Sequence, residues 1–346
     1  MALTIEHASN YIVVLNYNSW QDTIECVEAI INSTYKNFQI IIIDNKSTND
    51  SEQNILNYLE GNIFPNIENS FFKEKIRKRK QKLPYVYYRK VIENTSFFRE
   101  KASKKSLSFI LEFPIIFLQT EKNLGFAGGN NLALKPIIDN DNISSCSKVF
   151  LLNPDTFIDS KALFFLNKTK DDTFIKGCFV KDYYLPHKRG FLGAYRIIKP
   201  FGVIKNINTK SKEEIDYIYG GALYTNKRTL EKSGLLPEDY FLYWEETDWC
   251  YSAKLNGVNL STCEEAIVYD KVGTSIGRGY LAYYYFIRNG LLFFNKYHKK
   301  NIFFLLVFIT YMVLSKIVKL EFNNSKAIID GTKDYFRGKK GYKSIS

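Results

Sequence analysis

A four-residue apolar run, Val149-Phe150-Leu151-Leu152, leads directly into Asn153-Pro154-Asp155. A short apolar run of this kind reads as a buried strand, and a proline at its end stops ladder pairing. One carboxylate, Asp155, is therefore set at the mouth of a sheet. Upstream, residues 121–131 read as a glycine-rich loop with Asn123, Gly125, Gly128, Gly129, Asn130 and Asn131. In open α/β sheets, ligands collect at the carboxyl ends of strands. A lone carboxylate beside a backbone-lined pocket suits a divalent cation that carries a diphosphate, because magnesium-type ions combine few protein ligands with phosphate oxygens.

The rest of the chain supplies the sheet. Tyr11–Leu15 and Phe38–Ile43 predict strands, while Asp22–Ile31 and Ser51–Leu59 have helical spacing. This β-α-β-α opening implies a parallel sheet covered by helices. Further strands are predicted at Phe174–Val180, Tyr217–Tyr224 and Ala266–Tyr269. Helices are predicted at Lys227–Ser233, stopped by Gly234, and from Glu245 to Asn256, stopped by Gly257. Acidic residues in the first turn of the latter suit the helix dipole. The alternation breaks near residue 61 and returns near Phe117, so 61–116 reads as an insertion. Seven of the ten residues in 73–82 are Lys or Arg. They predict either a solvated helical face or contact with anionic lipid or a phosphorylated acceptor.

The formal net charge of +12 over 346 residues favours acidic partners. Nucleic acid is not expected, because the aromatics of the insertion form no stacking module. Cys26, Cys146, Cys178, Cys250 and Cys263 are scattered and odd in number, without a Cys-x-x-Cys pair. They argue against a disulfide framework or a zinc site and for a reducing compartment. Near the N-terminus, Glu6 and His7 precede a strand-like run, with no signal-peptide pattern. Tyr283–Phe294 and Ile302–Leu314 are strongly apolar with basic flanks. The second spans 13 residues, short of the roughly 20 that cross a bilayer. We read both as helices that dock on the core or lie in a membrane interface. The organisation expected is a domain over 1–280 and an apolar helical segment over 281–346.

Four segments in order resemble glycosyltransferase family 2, particularly its bacterial rhamnosyltransferase-like branch. They are Val13–Trp20, Ile43–Ser47, the Asn123–Asn131 stretch with Asn153-Pro154-Asp155, and Gly220–Asp248. The resemblance covers 10–60 and 117–290. It implies a GT-A type α/β fold, a mixed and mainly parallel sheet flanked by helices, with a C-terminal helical segment. By similarity, Asn16 and Tyr17 flank the nucleobase, and Asp44 accepts from the imide N–H of a uracil or thymine ring, the one donor such a ring offers a carboxylate. A turn cap is the alternative for Asp44. Asn123, Gly125, Gly129, Asn130 and Asn153 line the donor site, with Arg278 over the diphosphate and Arg288, of the recurring Arg288-Asn289 helix pair, as a second phosphate contact; a helix cap is the alternative for Asn130. Asp155 matches the metal-binding carboxylate of the family's Asp-x-Asp motif, and Mg2+ or Mn2+ is the implied cofactor. Asp270 stands where the family's later histidine falls and is the second candidate ligand for that metal, since a carboxylate also ligates manganese or magnesium.

Glu245-Glu246-x-Asp248 matches the family's Glu-Asp-x-Asp motif, so Glu246 is the implied base and Glu245 the fallback. Gly221, Tyr243, Trp244 and Asp248 are assigned to the substrate side, with burial of the two rings and bracing by Asp248 as alternatives. The resemblance implies inverting transfer from a UDP- or dTDP-sugar to a glycan or lipid-linked glycan in bacterial surface polysaccharide synthesis, such as O-antigen or capsule. Work at the cytoplasmic face of an anionic membrane fits the basic and apolar segments. A binding protein of the same fold without turnover is the alternative. A nicotinamide-dependent enzyme is disfavoured, because no Gly-x-Gly-x-x-Gly turn follows the first strand.

Overall fold

The first strand, β1 (Asn10–Asn16), is buried along almost its whole length, and its side chains alternate between two cores. Tyr11 and Val13 enter one hydrophobic cluster, Ile12 and Val14 another. The sheet must therefore be covered on both faces. A computed structural model of the chain describes residues 5–76, 82–91, 98–102, 111–208, 213–271 and 279–344. After β1 come α1 (Trp20–Ile31), β2 (Phe38–Asp44), α2 (Ser51–Leu59), α3 (Ser70–Lys73), β3 (Tyr85–Val91), β4 (Phe98–Ala102), β5 (Ile115–Thr120) and α4 (Gly125–Asp139). The middle of the chain forms β6 (Lys148–Leu152), β7 (Thr156–Ile158), α5 (Ala162–Leu166), β8 (Phe174–Asp182), β9 (Ala194–Ile198), β10 (Val203–Asn206), β11 (Tyr217–Ile218), β12 (Ala222–Asn226) and α6 (Lys227–Ser233). It ends with α7 (Glu245–Leu255), β13 (Asn259–Asp270), α8 (Tyr280–Tyr297), α9 (Ile302–Val318) and α10 (Phe322–Phe336).

The main sheet has the order β4-β3-β5-β2-β1-β6-β12-β8-β13-β7, and a small sheet has the order β10-β9-β11. As expected, the main sheet is mixed and mainly parallel. Helices α1, α2 and α5 bury Ile24, Val27, Ile55, Leu59 and Leu163 against one face. Helices α4, α7 and α8 bury Leu134, Ile137, Trp249, Ala253 and Leu291 against the other. Each such side chain contributes roughly 1.5–3 kcal/mol when fully buried.

Four expectations change. The stretch 217–224 is two strands: Gly220 and Gly221 break it, and β11 pairs with β9 while β12 pairs with β6 and β8. Residues 61–116 contribute to the sheet, since β3 pairs in parallel with β5 and buries Tyr85, Val86, Tyr87 and Tyr88. Part of the basic run, 77–81, lies outside the described residues. The glycine-rich stretch is helical from Gly125 onward, the first turns of α4. Finally, the apolar C-terminal run is longer than its sequence boundary suggested. With the 3-10 turn before it, α9 gives a 20-residue helical unit, Lys299–Val318, long and apolar enough to cross a bilayer.

Gly125 joins the two halves of the site. Its φ is +72°, and a Cβ there would stand 2.2 Å from the Phe241 carbonyl oxygen. Gly234 has φ +76° with nothing within 4 Å of such an atom. Gly234→Ala therefore tests the dihedral penalty alone, about 1 kcal/mol. Gly125→Ala adds a backbone clash and is expected to cost at least ~2 kcal/mol more. Urea unfolding midpoints of the two variants measure the difference.

Candidate active site

Strand direction gathers the acids. β1, β2, β5 and β6 run parallel. β12 is antiparallel to both β6 and β8, and β13 is parallel to β8, so β13 ends at the same sheet edge. Asn16, Asp44, Asn153 and Asp270 thus lie along one edge. β7 brings Thr156 opposite Asp270, so Asp155 is next to Asp270 in the ladder.

On the β1–β2 side, Asp44 is wholly buried and accepts from Asn16 Nδ2 at 2.7 Å, Gln119 Nε2 at 3.1 Å, Ser47 N at 3.3 Å and the Ser47 hydroxyl. Asn16 also accepts, through Oδ1, from Thr23 Oγ1 at 2.8 Å and Ser19 N at 3.2 Å. These two side chains are saturated by their neighbours, whereas Tyr17 is 39% exposed. Asn123 Oδ1 accepts from Gly125 N at 2.9 Å and Asn45 Nδ2 at 3.0 Å, which ties the end of β2 to the start of α4. Gly129 lets that helix approach: a Cβ would meet Leu15 Cδ1 at 2.5 Å. Asn130 bonds the Phe126 carbonyl within its own helix at 2.9 Å. That bond braces α4 from within rather than capping it.

At the centre, Asn153 N donates to the Gly221 carbonyl at 2.9 Å, and Asp155 and Asp270 are both buried. The Tyr219 hydroxyl donates to Asp270 Oδ2 at 2.5 Å. Burial first, and then the Asp155 charge, push the Asp270 carboxyl up to about 7. Next door, Lys271 Nζ bonds Asp22 at 2.7 Å and Glu25 at 2.6 Å. Two buried carboxylates side by side form a donor set of oxygens that fits a hard divalent cation. Among the described residues no group of three or more His, Cys, Asp or Glu is arranged to hold a metal. Diphosphate and water oxygens would complete the shell.

The acidic motif opens α7. Glu245 is buried and Glu246 partly so, and each has an Oε2 atom buried from water without a hydrogen-bond partner. Burial, then the Glu246 charge, hold the Glu245 carboxyl well above its usual range. Burial pushes Glu246 up to about 7, against backbone hydrogen bonds at Glu246 and Thr247. Gly220 makes room for Glu246: a Cβ there would sit 3.1 Å from Glu246 Cγ. Consecutive residues thus touch three parts of the site, with Tyr219 on Asp270, Gly220 on Glu246 and Gly221 on Asn153.

Several expected contacts are otherwise engaged. Trp244 is buried, donates Nε1 to the Phe286 carbonyl at 3.0 Å and packs on Phe293, so its ring is core and not a sugar platform. Asp248 is buried and accepts from Tyr240 at 2.7 Å, Lys296 at 2.8 Å and Tyr297, which makes it a brace. Tyr243 is half-buried beside Phe286. Arg288, a conceivable phosphate contact by sequence, is buried and bonded to backbone carbonyls. Arg278 lies outside the described residues. Sequence reasoning missed Tyr219 and the Lys271 cluster, which no motif marks.

A mixed, mainly parallel sheet flanked by helices, with these acids along its carboxyl edge, is the GT-A fold. Residues 11–81 match the glycosyl transferase family 2 model. Agl10 of Haloferax volcanii, a low-salt glycan biosynthesis hexosyltransferase, is 24% identical over 155 residues. That match covers 43% of this chain and 50% of Agl10, so the chain spans about half the length of this relative. Mannosyltransferase PcManGT from Pyrobaculum calidifontis, solved with GDP-Man and Mn2+, superimposes with a TM-score of 0.52 at 10% identity, over 96% of this chain and 88% of that one. S. aureus TarS 1-349, solved with UDP-GlcNAc, gives 0.51 at 13% identity, over 95% and 80%.

The raised Glu246 carboxyl has a stability consequence. The folded chain keeps a proton that the unfolded chain releases near pH 4.5. This contribution is full below that pH and is lost as pH rises through about 7. Glu246→Gln should flatten the fall in Tm between pH 5 and 8, measured in chelator.

Proposed function

We propose that this chain is an inverting glycosyltransferase that moves a sugar from a nucleoside diphosphate to a glycan hydroxyl. The observation that carries this reading is Glu246: a carboxyl with a buried, unpartnered oxygen, joined through 219–221 to the Asp155–Asp270 pair. Glu246 takes the proton of the acceptor hydroxyl. The acceptor oxygen then bonds to the anomeric carbon as the bond from that carbon to the diphosphate oxygen breaks. The electron pair of that bond leaves with the nucleoside diphosphate, and one displacement inverts the configuration. A carboxyl near pH 7 can hold or release a proton under working conditions, which suits a general base. Asp155 and Asp270 would hold a Mg2+ or Mn2+ that takes up charge on the leaving diphosphate.

The donor we favour is a UDP- or dTDP-sugar, with Asp44 reading the base once the Ser47 hydroxyl swings off its carboxylate. The complex of PcManGT with GDP-Man and Mn2+ keeps guanosine in the panel. The kinship with Agl10 supports a hexose as the group transferred. The acceptor we favour is a lipid-linked glycan of a surface polysaccharide, met at the cytoplasmic face of the membrane. Helix α9 supports that setting: Phe303, Val307, Tyr311, Leu314 and Val318 are exposed. Lys299 and Lys300 precede this face and Lys319 follows it, as in helices held at anionic surfaces.

Calorimetry with UDP, dTDP and GDP, with and without Mn2+, tests the donor site. Metal-dependent binding of one nucleotide, reduced at least tenfold in Asp155→Ala, is the expected result, a loss of about 1.4 kcal/mol. Binding that ignores metal and Asp155 would contradict it. Cosedimentation with phosphatidylglycerol vesicles tests the setting: the wild type should pellet, and the double variant Phe303→Asp, Leu314→Asp should stay in solution.

A further inference from the structure

The turn from Tyr240 to Trp244 sets where α7 begins, and with it the place of Glu246. Three of its residues, Phe241, Tyr243 and Trp244, have φ of 66°, 65° and 76°. A side chain in that left-handed region costs roughly 1–2 kcal/mol per residue, so such a turn persists only where its surroundings over-determine it. Two adjacent residues of α8 do so. Asn289 Nδ2 donates to the carbonyls of Tyr240 at 2.8 Å, Leu242 at 2.7 Å and Tyr243 at 3.0 Å. Arg288 donates through Nη2 to the Tyr240 carbonyl at 2.9 Å and through Nε to Asn289 Oδ1 at 2.9 Å. Its third bond, from Nη1 at 2.8 Å, reaches the Gly341 carbonyl near the C-terminus. Gly341 N in turn donates to the Asp239 carbonyl at 2.7 Å, and the Tyr342 ring stands 5.1 Å from Phe241.

We propose that Arg288 and Asn289 are positioning residues for sugar transfer, locking the turn that presents Glu246, with the segment 339–343 closing the lock through Gly341. The inference rests on the transferase reading for its catalytic consequence and on the bonds above for its structural one. Asn289 is oriented by Arg288, so its amide hydrogens face the turn. Three carbonyl oxygens converging on one amide leave no tolerance for an acceptor in its place. Arg288 spans three acceptors with its planar fork, which a lysine cannot reproduce.

The test compares Asn289→Asp and Arg288→Lys with the wild type. Asn289→Asp keeps the shape and reverses the hydrogen-bond character; Arg288→Lys keeps the charge and remains available should the first variant fail to fold. Amide hydrogen exchange is read over 238–248 and 339–343. Release of nucleoside diphosphate is followed with Mn2+ from UDP-glucose, UDP-GlcNAc, dTDP-glucose and GDP-mannose, water serving as acceptor. Faster exchange confined to those two segments is expected. A kcat lowered about 100-fold, with the donor KM within about threefold of wild type, is expected beside it, the pattern of an interaction made in the transition state. Unchanged exchange in both variants overturns the lock. Faster exchange with unchanged kcat overturns the positioning role. A wild type that turns over none of the four donors counts against the transferase reading and removes the catalytic half of the inference, while the exchange data still decide the lock.

Discussion

Carboxylates taken out of water at one edge of a sheet are the constraint around which this protein is built. Each must find donors, a cation or a proton. Asp44 finds four donors, from Asn16, Gln119 and both polar groups of Ser47. Asp248 has Lys296 and two tyrosine hydroxyls. Glu25 has Lys271 and Tyr183. These are settled groups, and they hold strand ends and helices together. Glu245 and Glu246 each leave one buried oxygen without a partner. Asp270 meets Tyr219 while facing the charge of Asp155. The raised carboxyls mark where the fold has left chemistry to be done, since groups with perturbed protonation concentrate at functional sites.

The two halves of the site are bound together by backbone more than by side chains. The Phe241 carbonyl accepts from Phe126 N at 2.8 Å while crowding Gly125, so the turn before Glu246 rests on the first turn of α4. The Gly220-Gly221 break carries the chain from the small sheet to the main one while touching Glu246 and Asn153. Movement of either joint would shift the base relative to the carboxylate pair, and a displacement of about 1 Å can cost 100-fold in rate.

Much of this was legible in the sequence where local rules decide. The apolar runs at β1, β2 and β6 and the glycine stops at Gly234 and Gly257 gave strands and helix ends close to those found. Asp155, Asp270 and Glu246 were singled out, and strand direction brings the first two together. Legibility failed where tertiary partners decide. The aromatic run 217–224 looks continuous until its halves choose different sheets. The tyrosine-rich stretch 85–88 sits among basic residues, yet β5 makes it core. Glu246 and Asp248 look equivalent in a motif, but two residues apart on a helix they face different sides, and only one meets Lys296. The positive φ angles of Phe241, Tyr243 and Trp244 carry no sequence mark at all. The Arg288-Asn289 pair was visible, but its role as a brace depends on carbonyls nearly fifty residues away.

The central claim is that Glu246 supplies the base in a site where other groups hold the donor. Its most direct test is Glu246→Gln, which keeps the shape and removes the base. Donor binding by calorimetry and release of nucleoside diphosphate should be measured on the same preparation. The account predicts donor affinity within a fewfold of wild type and turnover lowered by roughly 10²–10⁴-fold. A Glu246→Gln protein that turns over donor at near wild-type rate would contradict it.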